Sequence, residues 1–369
     1  MAIDRRSVLL GTLTAVAAQP WDSRMAAAVE PARPSYAAAA KTADGRYAIV
    51  LLDADGRLLL QIALSDRGHD IAVDRPGGRA VAFARRPGTF AVAFDTGNNA
   101  PPQIITAIDG RHFFGHGAFS AGGQLLYASE NDIATGEGVI GIYDAARGFK
   151  RIGEHRSFGT GPHEIILMGD GVTLAVANGG IDTTPQAGRE SLNIETMHAC
   201  LVFINSRTGD LVARHDVPGG LQRLSIRHLA SDNGGNVWFG GQWQGDVADT
   251  PELVGVAAID RPLRMIAPAA ALGLSLKGYI GSMAASAGGS IIAASAPKAG
   301  RAIYLDASSG RLIGETAVKD VCGIADGAGS LFALTSGFGT FRIERPAEAV
   351  LSSRDLDGIA FDNHLRRLG

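Results

Sequence analysis

His116-Gly117-Ala118-Phe119-Ser120-Ala121-Gly122-Gly123 is a strand-like run that enters through a histidine, alternates small and apolar residues, and stops at a tight glycine turn. The chain repeats it. His69-Asp70-Ile71-Ala72-Val73, with its turn at Pro76-Gly77-Gly78, stands 47 residues before, and His163-Glu164-Ile165-Ile166-Leu167, with its turn at Asp170-Gly171, stands 47 residues after. His228-Leu229-Ala230-Ser231 with Gly234-Gly235 follows 65 residues on, the extra 18 matching one insertion, 181–198. The histidine is then lost but the frame persists in Ser282-Met283-Ala284-Ala285-Ser286-Ala287-Gly288-Gly289, Cys322-Gly323-Ile324-Ala325-Asp326 and Asp357-Gly358-Ile359-Ala360-Phe361, giving seven copies.

Repeats of about 35 to 65 residues, built of short alternating strands, signal an array whose units bury their apolar faces only against neighbours. The reading is an all-β, seven-bladed β-propeller occupying 36–369 as a single domain. Segments 36–41, 46–52 and 58–64 supply three strands of the first blade, and 358–365 at the carboxyl end supplies its innermost strand, so the last blade to form closes the ring and no sheet edge is left open. The first strand of each blade lines the central channel. The seven residues that open these strands, His69, His116, His163, His228, Ser282, Cys322 and Asp357, are therefore expected to converge at the channel mouth.

A closed array of 369 residues routinely forms one domain. The net charge of −3 gives no electrostatic reason to expect nucleic acid or an anionic membrane as partner. The 49 glycines and only 6% aromatic residues suit many tight turns between short strands rather than a helical bundle. Asp4-Arg5-Arg6-Ser7-Val8-Leu9-Leu10 places paired arginines ahead of a short apolar run, 8–18, with small residues at Ala26-Ala27-Ala28, which reads as a twin-arginine signal over 1–28 followed by a linker over 29–35. That run is too short for the roughly 20 residues a membrane span needs, and the expected location of the mature chain is the periplasm. The two cysteines, Cys200 and Cys322, fall in non-adjacent blades and are expected to remain separate thiols. No glycine-rich segment carries the lysine and hydroxyl of a phosphate loop.

Imidazole, thiolate and carboxylate converging on one axis favour a transition metal, copper or iron, over calcium or magnesium. His69, His116, His163 and His228 are the candidate nitrogen ligands and Cys322 and Asp357 the additional ones, with the thiol of Cys322 expected to ionise easily beside the histidines. Glu130, Glu164 and Arg227 are candidates to support them, Glu130 from a loop overhanging the ring; Arg189 and Arg227 are also candidates to fix an anionic ligand. Three other readings compete. Strand-opening histidines can simply staple turns through backbone hydrogen bonds. The same histidines would serve a small-molecule enzyme such as a propeller lactonase as general acid and base, and the long loop 179–197 would serve an interaction scaffold.

Several longer motifs carry a resemblance: Phe114-Gly115-His116-Gly117-Ala118-Phe119-Ser120, Leu126-Tyr127-Ala128-Ser129-Glu130-Asn131-Asp132, Gly138-Val139-Ile140-Gly141-Ile142-Tyr143-Asp144, Gly161-Pro162-His163-Glu164, Ala177-Asn178-Gly179-Gly180-Ile181-Asp182-Thr183, Leu192-Asn193-Ile194-Glu195-Thr196-Met197 and Leu224-Ser225-Ile226-Arg227-His228-Leu229. On these the chain resembles the bacterial domain-of-unknown-function 1513 family over nearly the whole mature length. The resemblance implies an exported, propeller-like protein whose partner is a periplasmic iron-uptake protein of the imelysin type. It assigns no site residue, and Cys200 departs from the Pro-Ser that the family more often shows there. In geometry alone the expected ring is similar to that of nitrous oxide reductase, whose axial histidines hold a copper cluster, but fold analogy does not transfer chemistry.

Overall fold

Short runs of small and β-branched residues, cut by glycine turns, make sheets too narrow to cover their own apolar faces, so each must stack on the next. The computed structural model describes residues 32–184, 186, 188, 191–246, 248–267 and 276–369. The expected signal, 1–28, the linker residues 29–31 and Arg189 lie outside the described residues. From Tyr36 onward the chain forms seven four-stranded antiparallel sheets arranged as a β-propeller. No helix among the described residues is long and apolar enough to cross a membrane.

Blade one is shared between the chain ends. Its innermost strand, Ile359–Arg367, pairs antiparallel with Tyr36–Thr42, from Tyr36 opposite Arg367 to Thr42 opposite Ile359. Tyr47–Leu52 and Leu58–Leu64 complete it. The innermost strands of blades two to seven are Gly68–Asp74, Arg111–Phe119, Pro162–Leu167, Leu224–Ser231, Ser282–Ala285 and Val321–Asp326. Apolar side chains fill the wedges between blades: Phe83, Phe113, Phe119 and Tyr143 form one such layer between blades two and three. Each such ring contributes roughly 1.5–3 kcal/mol by leaving water. Outermost strands meet solvent on one face, as Lys150–Arg156 does with its alternation of exposed and half-buried residues.

Six of the seven innermost strands break register with their neighbour at the level of the expected ring. Gly68 pairs with Ala84 and Ile71 with Ala82, so His69 and Asp70 together oppose one residue. The same two-against-one arrangement accommodates His163-Glu164 and Cys322-Gly323, while Phe114-Gly115-His116 and Asp362-Asn363-His364 crowd three residues opposite one. A single extra residue, Arg227, stands before His228. A regular strand sends consecutive side chains to opposite faces; a bulge re-aims them, which allows both a histidine and a nearby carboxylate to approach the axis.

Candidate metal centre

Five imidazoles meet on the axis: His69, His116, His163, His228 and His364, each no more than 5% exposed. His69, His163, His228 and His364 follow one another around a square, with ring centroids 5.6, 5.0, 4.9 and 4.7 Å apart. His116 caps the square, 4.9, 4.4, 5.9 and 4.8 Å from the same four rings. The crossing requires glycine beside it. Gly115 has φ of +98°, and a Cβ there would stand 2.7 Å from Cδ2 of His69.

Three of the bulges send a carboxylate to the histidine of the blade that follows. Asp362, from blade one, meets His69 Nδ1 at 3.1 Å; Asp70, from blade two, meets His116 Nδ1 at 2.8 Å; Glu164, from blade four, lies 3.4 Å from His228 Nδ1. Arg366 ties the last two together, donating from Nε and Nη2 to Asp70 at 2.7 Å each and from Nη2 to Glu164 at 2.5 Å. Asp362 is held by Arg67 at 2.5 Å and by Arg85 at 3.1 Å. Carboxylates that orient imidazoles in this way fix ring rotation and raise the basicity of the opposite nitrogen. Gly117 follows His116 where blades two and four offer a carboxylate, so His163 has no such partner from blade three.

Burial favours the neutral form of four of these histidines. It pushes His69 down to about 3 and His228 to about 4 against the partial opposition of Asp362 and Glu164, and it holds His163 and His364 well below the usual histidine range. Burial alone would raise the acids, but Arg366 holds Asp70 well down and lowers Glu164, and the His69 hydrogen bond with Arg85 and Arg67 does the same for Asp362. Neutral imidazoles beside ionised carboxylates are the protonation states that metal binding requires.

Four ring nitrogens of the cluster, His116 Nε2, His228 Nε2, His364 Nε2 and His163 Nδ1, are buried with no hydrogen-bond partner among the described residues. Each such group costs about 1–3 kcal/mol if left unsatisfied. His112 shows what a merely structural histidine does in this fold: its two nitrogens lie 3.2 Å from the carbonyls of Phe113 and Thr183. Ligand atoms of His69, His116 and His163, and again of His116, His228 and His364, lie within 4.8 Å of one another, and those of Asp70, His116 and Glu164 do too. Three nitrogens each about 2.1 Å from one ion stand roughly 3.4–3.6 Å apart, so either histidine triad would hold a metal by drawing its nitrogens in to that separation. The donor set fits copper, zinc or iron rather than a hard oxygen-seeking cation.

The other expected residues fall elsewhere or turn away. Asp357 is not at the ring; it is exposed in the turn before the last strand, beside Thr42 and Asp44, and the blade-one position is taken by His364, seven residues on. The last strand does begin at Ile359, but its bulge, and with it the ring level, lies further along at Asp362-Asn363-His364. The parallel of Arg227-His228-Leu229 with Asn363-His364-Leu365 is the signal that would have found it. Cys322 occupies its ring position but its thiol donates to the carbonyl of Asp320 at 3.1 Å, and it belongs to none of the convergent groups among the described residues. Its pKa is raised, not depressed as expected, chiefly by burial, with Asp320 and Asp362 adding to the rise and Arg67 opposing it. Glu130 does not overhang the ring: it is buried within blade three, bonded to Tyr143 at 2.6 Å and Arg151 at 2.9 Å. Arg227 is buried beside the cluster, its charge helping to depress His163 and His228, and it lines a small depression at the mouth with Arg85, Arg86, Gln242, Tyr279 and Asn363. Both cysteines are free thiols.

Fold and site together define a seven-bladed β-propeller with a buried histidine cluster on its axis. The chain belongs to the family described as "Protein of unknown function (DUF1513)", which matches residues 62–368. Among solved structures it is similar to a chain of Kuenenia stuttgartiensis hydrazine synthase, with a TM-score of 0.64 and 13% identity over 88% of this chain and 99% of that one, a likeness of fold alone. A search of the curated proteins finds no match.

Proposed function

We propose that the axial histidine cluster binds a transition metal, copper or iron, and that the protein serves metal uptake or handling in the periplasm. The observation that carries this reading is the convergence of five buried imidazoles, four of which keep a ring nitrogen with no hydrogen-bond partner among the described residues. His69, His116, His163, His228 and His364 would hold the ion, with Asp362, Asp70 and Glu164 orienting three of them. The bound ion would supply Lewis acidity or electron exchange, and the chain would supply a dry, pre-oriented nitrogen shell. Export through the arginine pair Arg5-Arg6 would deliver an already folded, loaded protein, and a periplasmic iron-uptake protein of the imelysin type is the proposed partner.

The test is elemental analysis of protein purified without an affinity tag, before and after dialysis against copper(II) or iron(II). The expected result is stoichiometric metal that falls by about a hundredfold in affinity in His116→Ala, since a missing ligand removes one of the bonds to the ion. Metal content unchanged in both His116→Ala and His364→Ala would overturn the proposal.

A further inference from the structure

The cluster has two approaches of very different size. On the mouth side the depression over His69, His163 and His228 has a volume of ≈ 20 Å³ and is walled by Arg85, Arg86, Arg227, Gln242, Tyr279 and Asn363. That is room for about one water molecule. On the other side the axial channel opens into a cavity of ≈ 480 Å³ between the inner strands, whose walls include the small residues Ala118, Ala230, Ala284 and Ala285. Asp70, Glu164 and Arg366 line it as well. A metal ion that still carries part of its hydration shell fits only this second approach.

Arg366 is the group that separates the cavity from the histidines. Its side chain is 25% exposed, whereas those of Asp70 and Glu164 are 2%. Nε and Nη2 are committed to the two carboxylates, and Nη1 makes no hydrogen bond among the described residues. The guanidinium thus occupies a cation position formed by Asp70, Glu164 and His116, whose ligand atoms lie within 4.8 Å of one another. One positive charge stands there against two buried negative ones. A dication would balance them fully, and the displaced guanidinium would have open cavity to turn into.

We propose that the metal reaches the histidines through this channel, exchanging with the Arg366 guanidinium on Asp70 and Glu164, which serve as a transfer site before the ion passes to the imidazoles. The inference rests on the metal-binding reading above and adds the route and the gate. Carboxylates along a narrow, low-dielectric passage would concentrate cations at its inner end. No covalent or redox change is involved: one cation replaces another on the same two carboxylates.

The experiment separates rate from capacity. Copper(II) is offered to chelator-stripped protein as a coloured chelate, and both the final metal content and the rate of colour loss are measured. Ala118→Phe and Ala285→Phe narrow the channel without touching a ligand. They are expected to keep the native metal content while slowing capture about tenfold, as blocked access lowers association rates. Gln242→Trp, which fills the mouth depression, is expected to leave the rate unchanged. Arg366→Lys, which cannot bridge both carboxylates through a rigid fork, is expected to speed capture. Native rates in both channel variants, or slowing only by Gln242→Trp, would overturn the route, and equal slowing by both sets would overturn a single route. Absence of copper binding by the native chain would remove the metal reading itself, whereas native capacity with an insensitive rate removes the route alone.

Discussion

Replacing Arg366 with methionine tests whether the two acids beneath the histidines depend on its charge to stay buried and ionised side by side. In the native fold the guanidinium makes three hydrogen bonds of 2.5 to 2.7 Å to Asp70 and Glu164. Methionine fills part of the volume but leaves two carboxylates, each 2% exposed, without their counter-charge. Removing one partner of a buried ion pair costs about 3–5 kcal/mol, because the remaining charge is left uncompensated. Domains of this kind are stable by roughly 5–15 kcal/mol, so the variant should still fold, with a lower urea midpoint at pH 7. Asp70 and Glu164 are held below their ordinary range in the native state, with Arg366 the largest influence opposing burial. Their contribution is therefore present above the unfolded carboxylate range, near pH 4, and is lost as pH falls through and below it, so the gap between variant and native protein should narrow in acid. Adding Glu164→Gln to the variant should restore part of the loss, since one buried charge is gone, and copper(II) should restore part by taking the vacated cation position. A loss below about 1 kcal/mol at pH 7, the value of an ordinary surface pair, would refute the reasoning.

Acid should destabilise the metal-free native protein before the carboxylates titrate: unfolded histidines take up protons near pH 6.5, whereas His69 holds off to about 3 and His228 to about 4. Stability should fall between those limits by about 1.4 kcal/mol per pH unit for each such group, and a flat urea midpoint from pH 7 to 5 would show that the imidazoles are not buried as neutral rings. Gly115→Ala should cost about 1–3 kcal/mol and reduce copper affinity as well, because the added Cβ meets His69 at a backbone angle that side chains disfavour. Glu130→Ala should cost about 1–3 kcal/mol by leaving the Tyr143 hydroxyl unpaired and Arg151 with Glu154 alone, while copper content per folded molecule stays native, the two readouts being a urea melt and elemental analysis. Cys322→Ser should leave copper content unchanged, and its loss would return the thiol to the ligand set.

Period, turn residues and copy number are properties of the chain itself, and they sufficed for the seven blades, the closure by the carboxyl-terminal strand, and four of the five axial histidines. Strand patterning is local: alternation and glycine turns state where an inner strand runs. Which way a side chain points at a bulge is not local. Whether His69 and Asp70 both approach the axis, whether Cys322 turns to Asp320 instead, and where along Ile359–Arg367 the ring level falls depend on how each inner strand packs against its neighbours. His364 and Asp362 were hidden for that reason, since their register is set by pairing with Tyr36–Thr42 at the opposite end of the chain. The carboxylate of one blade reaching the histidine of the next, and Arg366 spanning Asp70 and Glu164 from a third, are contacts between residues 46 to 296 positions apart, which only ring closure brings within hydrogen-bond range.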